Sequence, residues 1–143
     1  MNVSLKKVDK SEVKLIFGWI NEPLAREQSF HPKPISWEEH STYWDSRLRD
    51  GRKHSFIISS GGEPVGLLRL DPVEGAYEVS ILISEGHRGK GFATEALQAA
   101  VGLCKGLGIR KLVARVKPSN KASMKLFEAC GFQPAYVLFE RGA

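Results

Sequence analysis

Ser84-Glu85-Gly86-His87-Arg88-Gly89-Lys90-Gly91-Phe92-Ala93 is the stretch whose reading decides the fold. An apolar run, Val79 to Ile83, leads into it, and a run with helical spacing, Ala93 to Leu107, leads out. A strand that stops at a glycine-rich turn and restarts as a helix leaves backbone N–H groups without partners, and the positive end of the helix dipole adds to them. Such a turn is an anion site suited to phosphate or pyrophosphate. Gly89 and Gly91 let the backbone adopt positive φ or approach a ligand closely. Arg88 and Lys90 add mobile positive charge. The competing reading is a β–α turn that uses glycine for geometry alone.

Two familiar phosphate loops are excluded. A P-loop needs Ser or Thr after Gly-Lys, whereas Phe92 follows Lys90-Gly91. A dinucleotide-binding loop needs G-x-G-x-x-G and an acidic residue at the end of the next strand. Here the glycine order differs, and the next apolar run, Leu112 to Val116, ends in Lys117.

The chain of 143 residues suits one domain, residues 1–143, with a substantial core. A net charge of +5 is compatible with an anionic small molecule. No basic cluster accompanies a groove-reading motif, so nucleic acid is not an expected partner. Cys104 and Cys130 stand alone on helix-like stretches, which points to reduced cysteines and a cytoplasmic protein. No signal peptide opens the chain and no apolar run approaches a membrane span. No metal-ligand spacing is present.

Val3 to Val8 alternates as a first strand, and Val13, Ile16, Phe17, Ile20 and Leu24 recur at helical spacing. Pro23 should end that helix near Asn21. Residues 26–34, rich in proline, are expected as a polar loop of the kind that carries specificity. Ser36 and Glu39 form a capping box for a helix whose inner side should include Trp37, His40, Ser41, Trp44 and Leu48. In this reading His40 is a packed or surface residue. Strands at His54 to Ser60, Val65 to Leu70 and Tyr77 to Ile83 make an antiparallel meander.

After the glycine turn, Ala93, Ala96, Leu97, Ala100, Val101, Cys104 and Leu107 form one helical stripe. Leu112 to Val116 is apolar enough for the interior of the sheet, joined by a right-handed parallel crossover. A last helix presents Ala122, Leu126, Phe127 and Cys130, and Phe132 to Glu140 is expected to add one or two strands. The order is β-α-α-β-β-β-α-β-α-β with room for one more β, a mixed-sheet α+β fold. The parallel pair around the glycine turn should splay into a slot, with an extended ligand's phosphates on the turn.

These residues resemble the GNAT superfamily of acyl-CoA-dependent N-acetyltransferases. Arg88, Gly91 and Ala93 fill the fixed places of its Q/R-x-x-G-x-G/A signature. A second signature, a strand, an Asn and a helix ending in Gly-Phe, is matched by Leu112 to Val116, Asn120 and Leu126-Phe127-x-x-x-Gly131-Phe132. The resemblance implies a GNAT-like fold with acetyl-CoA as co-substrate. It implies that backbone N–H groups of Arg88, Gly89, Lys90, Gly91, Phe92 and Ala93 hold the coenzyme's pyrophosphate. Ile81, Leu82 and Ile83 would pair with the pantetheine arm, and Asn120 would touch it from across the slot, or serve as a helix cap, or both. Ser123 and Phe127 would lie near the thioester.

Acetyl transfer requires a neutral amine, and an alkylamine has a pKa near about 10.4, so a base is needed. Glu78 is the candidate, on the strand ahead of the turn, facing the side shared with Ser80 and Leu82. A solvated strand glutamate is the alternative. Many family members protonate the leaving thiolate with a tyrosine on the last helix. Phe127 stands in that place, so water, Ser123 or Tyr136 would substitute.

For the acceptor, Trp19-x-Asn21, Arg26-x-x-Ser29-Phe30, Ile35-Ser36 and Glu39-His40 resemble a subset that acetylates amino groups on nucleotide-linked sugars. In that case Arg26, Ser29 and His31 would meet the sugar or its diphosphate. The alternatives are another small amine such as a polyamine or antibiotic, a protein N-terminus or lysine, and a non-catalytic acyl-CoA-binding module. Free sheet edges would allow a homodimer.

Overall fold

The computed structural model describes residues 2–143. Its elements run β1 (Val3–Lys7), α1 (Val13–Ile20), α2 (Pro23–Gln28), α3 (Trp37–Arg49), β2 (His54–Ser60), β3 (Glu63–Val73), β4 (Ala76–Ile83), α4 (Phe92–Cys104), β5 (Leu112–Val113) and α5 (Lys121–Ala129). Short 3₁₀ turns at Lys10–Glu12 and Glu85–His87 precede α1 and α4. The sheet order is β1-β2-β3-β4-β5. The first four strands are antiparallel neighbours, and β4–β5 is the single parallel pair.

Strand alternation sends the sheet's side chains into two separate cores. One face carries Phe56, Ile58, Leu68, Leu70 and Val79 against Phe92, Ala96, Leu97 and Ala100 of α4 and Phe127 of α5. The other carries Ile57 and Leu67 against Val13, Ile16 and Trp19 of α1 and Trp44 of α3. Helices therefore cover both faces of the mixed sheet, as the α+β reading requires.

The slot is visible in the register. β5 meets β4 only at Tyr77↔Leu112 and Glu78↔Val113. Beyond that point β4 continues to Ile83 while residues 114–117 leave the sheet, so the two strands part toward the glycine turn.

Four expectations need correcting. Residues 26–28 belong to α2 rather than to a loop: the first helix does end at Ile20 with Asn21 as its cap, but Pro23 then sits at the first position of α2, where its missing N–H is harmless. The strand at residues 112–116 is an edge of only two paired residues, because divergence from β4 ends the ladder. Phe132 to Glu140 forms no strand; Tyr136, Val137, Leu138 and Phe139 are 71–89% exposed, since no neighbouring strand meets them. The inner face of α3 is His40, Trp44 and Arg47, while Trp37 and Leu48 lie outward, because the helix turns its 40–44–47 stripe to the sheet.

Candidate active site

The glycine turn is built as its sequence requires. Gly89 and Gly91 have φ of 77° and 85°, and Gly91 caps α4 in the left-handed conformation without a side-chain acceptor. Among the described residues, no backbone N–H from Arg88 to Thr94 donates to a protein acceptor. These donors, at the positive end of a 13-residue helix, fit an anionic group of pyrophosphate type. The turn is held from below. Ser84 is buried, its N–H donates to Val65 O (2.9 Å), and its Oγ lies 2.6 Å from His87 Nδ1.

Arg88 is not mobile. Its Nε donates to Ile83 O (2.9 Å) and its Nη2 to Glu22 Oε1 (3.0 Å). Glu22 also accepts the Glu85 N–H. Lys90 is exposed. Phe92 and Ala93 begin α4, with Phe92 in the core.

Along the slot, Ile81, Leu82 and Ile83 pair with β3 on one side only, leaving the other edge of β4 unladdered past Glu78. That edge can accept an extended chain by main-chain hydrogen bonds. Asn120 caps α5, accepting the Ser123 N–H at 3.1 Å. Phe127 is buried in the core, its ring 5.1 Å from that of Phe132. Its side chain carries no proton to donate.

Glu78 lies opposite Asp71 in the β3–β4 register, and Arg69 is opposite Ser80. All four share the face that carries Leu67 and Leu82, toward α1 and α3. Arg115, on the chain leaving β5, donates through Nε to Glu78 Oε2 at 2.6 Å. That bond holds the Arg115 guanidinium above its ordinary pKa. The Arg115 guanidinium also lies over the Phe30 ring at 5.0 Å, with Lys117 Nζ at 6.0 Å. Lys117 donates to Glu27 O at 3.0 Å, tying the end of α2 to the same segment leaving β5.

Of the predicted acceptor residues, Arg26 donates to three backbone carbonyls, Ile20 O (2.6 Å), His31 O (2.8 Å) and Lys33 O (3.2 Å). Burial, and then the neighbouring charge of Arg69, lower its pKa. Ser29 Oγ accepts the His31 N–H, and the His31 side chain is exposed. Asn21 binds Ile35 through both N–H and C=O (2.9 Å each). His40 is fully buried, with Nε2 2.7 Å from Val13 O. Thus Asn21, Arg26, Ser29, Ser36 and His40 shape the α1–α3 segment itself.

Two residues escaped the sequence. Arg47, 1% exposed, reaches Ser55 Oγ (2.6 Å), His54 O (2.9 Å), Tyr43 OH (3.2 Å) and the Asp71 carboxylate. Nothing in a charged helix end distinguishes it from a surface arginine. Glu22 lies sixty-six positions from Arg88 and its spacing carries no signal.

A splayed parallel pair, a glycine turn at a helix N-terminus and a strand carboxylate on the opposite face define an acyl-CoA-dependent acyltransferase. The family profile described as "Acetyltransferase (GNAT) family" matches residues 19–132, and the chain belongs to that family. It is an acetyl-CoA-dependent N-acetyltransferase. Among its relatives is YwnH of Bacillus subtilis, provisionally assigned as a phosphinothricin acetyltransferase, 51% identical over 91% of this chain and 83% of YwnH. A Methanocaldococcus jannaschii protein of unassigned function is 28% identical over 92% of this chain, which spans 28% of that protein's length. The fold matches the crystal structure of spermidine N-acetyltransferase from Vibrio cholerae in complex with CoA and spermine (TM-score 0.87, 23% identity, 97% of this chain and 85% of that one).

Proposed function

We propose that the acceptor is a small primary amine that carries an anionic group close to that amine. The supporting observation is the setting of Glu78. Its carboxylate shares the acceptor face with Arg69 and Arg115, and Arg26 and Lys117 stand at the same end of the cleft. Cations outnumber carboxylates there, which favours an anionic acceptor and disfavours a polyamine.

Acetyl-CoA supplies the acetyl group as a thioester. The N–H groups of Arg88 to Ala93 hold its diphosphate, and the free edge of Ile81 to Ile83 holds its arm, with Asn120 and Ser123 across the slot. Glu78 takes the proton that leaves the ammonium, the freed lone pair forms the new C–N bond as the C–S bond breaks, and the nitrogen loses its second proton to water to give the neutral amide. Phe127 gives no proton to the departing sulfur, which leaves as thiolate; a thiol pKa of about 8.5 makes that tolerable near neutral pH.

An α-amino acid analogue with a carboxylate or phosphinate fits this description, as the name given to YwnH does. A nucleotide-linked amino sugar is the second reading: its diphosphate would use the same cations from further away, past Arg26, Ser29 and His31. A screen with acetyl-CoA and a thiol-release readout separates these readings. The expected order is anionic amino-acid analogues first, nucleotide-linked amino sugars second, spermidine and peptides last, with Arg115→Ala raising KM for the anionic acceptor. Spermidine or a peptide as the best acceptor would overturn the proposal.

A further inference from the structure

We infer that Glu22 is a positioning residue for coenzyme binding, acting through Arg88. The inference rests on the reading that Arg88 to Ala93 hold the coenzyme's diphosphate. Arg88 fills the first place of the signature, yet its guanidinium is turned back under the turn. One edge is spent on Ile83 O, the last residue of β4, and another on the Glu22 carboxylate. The same carboxylate accepts the Glu85 N–H at 3.1 Å, at the start of the 3₁₀ turn that feeds the glycines. Glu22 and Arg88 side chains are 19% and 27% exposed, so the pair is largely withdrawn from water. A partly desolvated, charge-assisted contact fixes geometry more firmly than a surface ion pair.

The result is a three-point clamp. The Glu85 N–H and Arg88 converge on the Glu22 carboxylate, and Arg88 also holds the end of β4 through Ile83 O, immediately before the row of free N–H groups. Such donors bind an anion well only when already aimed together, since orienting them on binding costs affinity. Ser84 and His87 brace the start of the turn, but Gly89 and Gly91 loosen the part that carries the free N–H groups.

Glu22 also sits where α1 gives way to α2. The other end of α2 is tied to the segment after β5 that carries Arg115, through Lys117 and Glu27 O and through the Phe30 ring. α2 therefore spans the cleft from the coenzyme turn to the partner of Glu78. The clamp joins the two substrate sites.

The test is calorimetric titration of CoA into the wild-type chain, Glu22→Gln, Arg88→Gln and the double variant, with steady-state kinetics on acetyl-CoA. Each single variant should weaken CoA binding about fivefold or more, in the usual range of coupling between sites. In Glu22→Gln, KM for acetyl-CoA should rise to match, while kcat at saturating coenzyme stays within about twofold of wild type. The double variant restores a neutral amide pair and should bind no more weakly than either single one. Wild-type affinity in Glu22→Gln, or strictly additive losses in the double variant, would overturn the inference while leaving the turn's role intact. If Glu22→Gln does not fold, Arg88→Gln alone decides by the same criterion. Failure of the wild-type chain to bind CoA would instead remove the underlying reading of the turn.

Discussion

In the proposed reaction Glu78 takes a proton from the amine while paired to Arg115, and the two demands compete. The bond from Arg115 Nε fixes where the Glu78 carboxylate points. The bond to Arg115 also lies on an exposed side chain, which an anionic acceptor can recruit as its own partner. Glu78→Gln keeps the shape and removes the base. Turnover should fall about 10²-fold or more, the usual contribution of a general base, with CoA affinity unchanged. Stopped assays and titration of the same preparation check this; an undiminished rate would remove Glu78 from the role. The strand position and facing of Glu78 follow from alternation alone. Its partner Arg115 lies thirty-seven residues on and only the β4–β5 crossover brings them together. Arg47 was hidden for a related reason: a guanidinium satisfied by Ser55, His54, Tyr43 and Asp71 looks like any helix-end charge until the sheet packs on it.

The junction from β4 into α4 was legible because its chemistry is local. Two glycines at positive φ, an apolar strand before them and a small-residue helix after them specify a turn whatever surrounds it. The three-strand meander was legible for the same reason, since short turns join consecutive strands. α2 was not, because Pro23 read as a breaker although it starts the helix, and Pro32 and Pro34 made the residues beyond read as loop. The segment after α5 was misread in the opposite sense. Its apolar alternation is real, but a strand needs a neighbour, and none meets Tyr136 to Phe139. The local logic of the glycine turn yields a direct consequence. Gly91→Ala forces an L side chain into the left-handed region, costing roughly 1–2 kcal/mol. It should lower the urea midpoint modestly and weaken CoA binding by more than stability alone accounts for, because the N–H row shifts. Coenzyme affinity equal to wild type in a folded Gly91→Ala protein would show that the turn's geometry is not what the ligand reads.

At the scale of the whole molecule, two histidines tie stability to pH at separate seams. His40 is enclosed by Phe17, Trp37 and Trp44 where α3 meets α1, and it donates through Nε2 to Val13 O, which closes the base of α1. Burial lowers its pKa from 6.5, opposed only in part by that hydrogen bond. His54, at the start of β2, is lowered by burial and then by the charges of Lys7 and Arg47. Both imidazoles therefore stay neutral in the folded chain at a pH where the unfolded chain already binds protons. The stability they represent is present above about pH 6.5 and is lost as the pH falls from there through their folded-state values. The urea midpoint should be flat from pH 8 to 7 and decline steadily toward pH 5. His40→Gln keeps a donor for Val13 O but has no proton to gain, so its decline should be shallower, leaving the share due to His54. A midpoint in the wild-type chain that rises on acidification, or an unchanged slope in His40→Gln, would show that the buried imidazole between α1 and α3 is not the group being titrated.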